Sequence, residues 1–77
     1  MQKILATPEL VEAWALGRGL PKRGSGLPIY GEERAILRYW MAICGVPNSI
    51  TRLLPIRDLA AAWHDTSGAT LERLKAS

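Results

Sequence analysis

The residues that could do chemistry are few, and their spacing argues against most of it. The chain has one histidine and one cysteine, His64 and Cys44. His64 directly precedes Asp65, so at a helix end the two side chains diverge instead of forming a proton relay, and no serine stands in a nucleophile-elbow context. Cys44 lies in the uncharged run YWMAICGV, residues 39–46, where a thiol behaves as a small buried hydrophobe. One cysteine and one histidine cannot complete a four-ligand zinc site, nor can a lone cysteine close an internal disulfide. Glu32 and Glu33 are explained by a helix start, where carboxylates meet the positive end of the helix dipole. The stretches GRGLPKRG and GSG lack the GxxxxGK[ST] spacing, and no buried strand precedes them. The expectation is a protein that is not an enzyme and carries neither metal nor cofactor.

Charge is more informative. The formal net charge is +3, from ten lysines and arginines against seven acids. Arg18, Lys22 and Arg23 fall in residues 17–31, GRGLPKRGSGLPIYG, a segment without a carboxylate; the remaining cations and acids balance. Glycine lets a backbone approach phosphates closely, and lysine and arginine release counterions from a polyanion, so nucleic acid is the chemistry this loop suits.

The elements that would hold this loop are helical. Thr7 can cap, and Pro8 can start, a helix over residues 8–16 with Leu10, Val11, Trp14 and Ala15 inward and Gly17 as its stop. The central helix is expected at 32–44, with Ile36, Tyr39, Trp40 and Ile43 as its buried stripe and Gly45 and Pro47 ending it. A short helix over 49–54, capped by Asn48 or Ser49, stops before Pro55. Ile56, Leu59, Ala60 and Trp63 pattern the next helix. The turn HDTSG breaks it, and Thr66 or Ser67 caps a last helix that docks through Leu71 and Leu74. The fold class is mainly α: a small single domain, residues 1–77, of about five short helices around the central one. Within 18–30, Leu27, Ile29 and Tyr30 offer a short strand pairing back on Leu20 as a β-hairpin wing; the alternative is a solvated loop.

Across residues 7–54 the order of features is a capped helix TPELVEAWALGRGLP, a basic glycine turn KRGSG, the aromatic PIYGEE, and then AILRYWMAICGVPNSITRLL. This resembles the recognition helix, wing and following helices of the MerR-like and excisionase-like winged-helix families. The resemblance implies a small bacterial or phage-type DNA-binding regulator of transcription. Its first helix would enter the major groove of double-stranded DNA, and Arg18, Lys22, Arg23 and Tyr30 would contact phosphates or groove edges. The chain departs from the family in carrying Glu9 and Glu12 on that first helix, and in having only residues 1–6 to supply the helix that precedes it. A second helix-turn-helix candidate is DLAAAWHDTSGATLERLK, in which Ser67, Thr70 and Arg73 would face DNA; two ordinary amphipathic helices are the alternative.

The competing class is a non-enzymatic helical protein-binding module, such as a mobile-element regulator or inhibitor of a host protein. Its support is an apolar surplus: three tryptophans and two tyrosines in 77 residues. Trp14, Tyr39, Trp40, Met41 and Trp63 are the candidate partner interface, because aromatic side chains commonly anchor interfaces. The uncharged stretch 41–46 exceeds what so short a chain comfortably covers, which suggests a homodimer. No apolar run reaches the ~20 residues that span a bilayer, and MQKILATPEL lacks the apolar core of a leader peptide, so a cytoplasmic protein without membrane contact is expected.

Overall fold

The structure, a computed structural model, describes residues 7–76. Five helices follow in chain order: α1 (Pro8–Gly17), α2 (Arg34–Cys44), α3 (Asn48–Thr51), α4 (Ile56–His64) and α5 (Ala69–Lys75). A 3₁₀ turn, Gly31–Glu33, leads into α2, and no strand occurs among the described residues. Residues 1–6, on which the leader-peptide and preceding-helix expectations fall, lie outside the described range.

The two long apolar helices end in the same way. In α1, the Thr7 side chain accepts a hydrogen bond from Leu10 N–H at 3.2 Å. At its other end Gly19, not Gly17, makes the turn: its φ is 104°, Leu20 N–H reaches back to the Ala15 carbonyl, and Gly19 N–H to that of Leu16. Gly45 repeats this at the end of α2 with φ 106°, and Val46 N–H bonds the Met41 carbonyl. These are Schellman closures, which need a left-handed residue and bring the residue after it onto the helix's apolar face. Leu20 and Val46 are both buried as a result.

Helix α2 packs against α1, α3 and α4, and α5 packs on α4. Its buried residues are Leu37, Trp40 and Met41, with Ile36, Ile43 and Cys44 partly covered and Tyr39 outward. The expected stripe through Tyr39 is therefore turned by about one residue. Trp40 meets Trp63 of α4 edge to face, ring centroids 5.0 Å apart, and both rings are fully buried. Such a pair is worth ~0.5–1.5 kcal/mol beyond the area it buries. In α1 only Val11 and Ala15 are buried; Leu10 and Trp14, expected inward, are exposed. The short helix is Asn48–Thr51, and Leu53 after it faces solvent.

Within the stretch 41–46, Met41 and Val46 are buried, Ile43 and Cys44 are half-buried, and Ala42 and Gly45 are exposed. None of the helices among the described residues is long and apolar enough to cross a membrane.

Candidate functional site

The basic loop between α1 and α2 forms no hairpin. Pro21 and Pro28 cannot donate to a strand ladder, and the loop's polar groups find partners at the C-terminal end of α4 instead. Trp63 Nε1–H donates to the Pro21 carbonyl at 3.0 Å. His64 clasps the loop with both ring nitrogens: Nδ1 accepts from Gly26 N–H at 3.2 Å, and Nε2 lies 2.9 Å from the Leu27 carbonyl, so Nε2 carries the proton.

Arg23 is the centre of this docking. Its Nε donates to the Trp63 carbonyl at 3.0 Å and Nη2 to the Asp65 carbonyl at 3.2 Å. The guanidinium lies 4.7 Å from the Trp40 ring centroid, and Nη1 is 3.9 Å from the Glu12 carboxylate. A planar cation suits this place, because the last carbonyls of a helix lack intrahelical donors and carry the negative end of its dipole. Arg23, expected to meet phosphate, is thus engaged by the protein's own backbone, rings and carboxylate.

The other expected DNA contacts divide. Lys22 is exposed on the loop, and Tyr30 is 63% exposed. Arg18 sits over the Trp14 ring at 5.7 Å from its centroid. Ser67 and Thr70 turn inward on Asp65: both hydroxyls and both backbone N–H groups donate to its carboxylate. Those four bonds, the Ser67 hydroxyl first, hold the Asp65 carboxyl well below the usual carboxylate range. Gly68, with φ 82°, holds the N-cap position of α5, where Thr66 or Ser67 was expected; the side chains of Ser67 and Asp65 cap its first turn from outside, Ser67 Oγ accepting from Ala69 N–H and Asp65 from Thr70 N–H. The D-x-S-x-x-T spacing, read as a cap, was the available signal. Arg73 is exposed on α5.

The expected partner interface also divides. Trp40, Met41 and Trp63 are fully buried in the core, so in the folded chain no partner touches them. Trp14 and Tyr39 remain at the surface, 46% and 47% exposed, edge to face with centroids 6.0 Å apart. Leu10, one turn before Trp14 and 58% exposed, extends the patch, and Arg18, one turn after it, closes the other end. Leu10 was missed because the 3.6-residue period fits Leu10–Trp14 as well as Val11–Ala15, and nothing local chooses between them. The structure so brings together Leu10, Trp14 and Arg18 on α1 and its C-cap with Tyr39 on α2.

A cleft of about 240 Å³ lies on the other flank of α1, lined by Glu12, Leu16, Lys22, Arg23, Trp63 and Thr66. It is smaller than the ~300–1,000 Å³ of typical small-molecule sites, and its guanidinium is already engaged. Burial pushes the Cys44 thiol up from its ordinary value, which disfavours the reactive thiolate. No cluster of metal-binding side chains occurs among the described residues. No protein-family model matches the chain, and the searches of curated proteins and of solved structures return no match either.

Proposed function

We propose that this chain is a non-catalytic, cytoplasmic helical docking module that binds another protein through the face made by Leu10, Trp14, Arg18 and Tyr39. The observation that supports it is the Trp14–Tyr39 pair, half-exposed beside Arg18 on a scaffold whose other two tryptophans are buried. Large rigid aromatics flanked by arginine are the side chains that contribute most at protein interfaces. An apolar side chain left in water on so small a domain contributes little to its own stability, whereas covering it on binding is favourable by ~25 cal/mol per Å².

Double-stranded DNA is the second reading, favoured by the exposed Lys22 and Tyr30 and by the excess charge of the loop. It is the weaker one, because Arg23 already has internal partners. The test is affinity isolation from a nuclease-treated lysate, comparing wild type with a Trp14→Ala/Tyr39→Ala variant of unchanged helicity, alongside a gel shift with mixed duplex DNA. Docking predicts a protein held by wild type at 200 mM salt and lost by the variant. Identical recoveries from both count against docking. A duplex shift at ~50 mM salt that weakens steeply towards ~200 mM and is lost in Arg18→Ala/Lys22→Ala would favour DNA instead.

A further inference from the structure

Resting on the docking reading, we infer that the Leu10–Trp14–Arg18–Tyr39 face takes a short segment of a partner protein that presents a large apolar side chain with a carboxylate beside it. Three observations select this occupant.

The first is charge. Glu9 and Glu12 lie on the opposite flank of α1 from the 10–14–18 stripe, and Glu12 faces Arg23. Arg18 is then the formal charge of the stripe, and it stands against the Trp14 ring. A carboxylate arriving there meets a guanidinium with no competing acid on the same stripe, whereas a basic group meets a like charge. The apolar surface of Leu10, Trp14 and Tyr39 is continuous with it.

The second is area. An aromatic side chain carries ~150–250 Å², so two that are half-exposed offer about 100 Å² each, and Leu10 and Arg18 bring the face to roughly 400 Å². A stable complex of two globular chains takes ~800 Å² from each partner. The face is too small for a second copy of this chain and large enough for a few residues of a peptide.

The third separates peptide from nucleic acid. Single strands bind where several open, stackable rings lie along a cationic groove. Here Arg18 covers one face of Trp14, and Tyr39 stands at 81° to it, so successive bases find no pair of parallel rings.

The test is selection of a random 12-residue peptide display library on the full chain, with fluorescence anisotropy of the leading labelled peptide as the measurement. The expected result is enrichment of net-acidic peptides bearing a large apolar anchor. Affinity should fall about tenfold or more in Trp14→Ala, the loss of one interface anchor. In Arg18→Glu the selected peptides should become basic, and Arg18→Gln should bind without preference for either charge. Circular dichroism confirms that each variant keeps its helicity. Peptides that need Trp14 but show no acidic bias would overturn this inference and leave the docking reading standing. Absence of any Trp14-dependent peptide would overturn both. A dimer at tens of micromolar in sedimentation, lost in Trp14→Ala, would assign the face to a second copy and overturn the peptide. Binding of a labelled single-stranded 15-mer that is lost in Trp14→Ala would overturn it in favour of nucleic acid.

Discussion

Arg23→Ala is expected to destabilise the fold by about 3 kcal/mol, far more than loss of the neighbouring Lys22 side chain. Two hydrogen bonds from a charged donor, to the Trp63 and Asp65 carbonyls, are worth ~1.5–3 kcal/mol each. Stacking on the buried Trp40 ring adds ~1 kcal/mol. The Glu12 contact, 3.9 Å apart with both side chains partly exposed, adds less than ~1 kcal/mol. Against these stand the ~2 kcal/mol of rotamer entropy in an arginine side chain and the cost of partly desolvating its charge, which leaves a net near 3. A chain of this size has only ~4–12 kcal/mol in total. At ~4–8 °C per kcal/mol for a domain of 60–100 residues, Tm should fall by roughly 12–24 °C. Arg23→Lys keeps a cation at the end of α4 but loses the planar fork that serves two carbonyls and a ring together, so about half the loss should return. Lys22→Ala, at an exposed position, should stay within ~0.5 kcal/mol. Thermal and urea unfolding followed by circular dichroism measure all three. If Arg23→Ala melts within 3 °C of Lys22→Ala, the loop is not anchored as described, and the argument against Arg23 as a phosphate contact fails with it.

The loop's close approach to the 64–66 turn gives a second expectation. A Cβ at Gly24, where φ is +86°, would lie 2.7 Å from the Thr66 methyl, so Gly24→Ala should lose ~2 kcal/mol or more. Adding Thr66→Ser removes that methyl and should recover the steric part, leaving ~1–2 kcal/mol of backbone strain in a denaturant titration. Asp65 makes stability depend on acid: its folded pKa is depressed, so its contribution is complete above its ordinary value of 3.8 and is lost as pH falls below it. The Tm difference between wild type and Asp65→Asn should therefore shrink from pH 5 to pH 2, and a constant difference would refute the cap. Finally, iodide should quench only the Trp14 fraction of the fluorescence, and Trp14→Phe should abolish that fraction with little change in Tm. Trp40→Phe should lower Tm markedly, since its fully buried ring fits against Trp63 and Arg23.

Local rules determined the order of elements and several of the helix ends, though not that Gly19 makes the turn after α1 or that α3 stops at Thr51. Thr7 and Pro8 open α1, Gly45 closes α2, and Pro47 and Pro55 bracket α3, because caps, left-handed turns and missing N–H groups act within a few residues of chain. The concentration of charge in the loop was equally plain. Only tertiary packing decided which way the helices turn. Leu10–Trp14 and Val11–Ala15 satisfy one helical period equally, as do Tyr39–Ile43 and Leu37–Met41; packing of α1 against α2, and of α2 against α1 and α4, selected the inner pair in each case. Packing also decided what the cations do. Arg23 and Lys22 are neighbours of the same sign in the sequence. One faces water and the other a helix end some forty residues away, because only there do orphaned carbonyls, a tryptophan ring and a carboxylate converge within reach of one guanidinium.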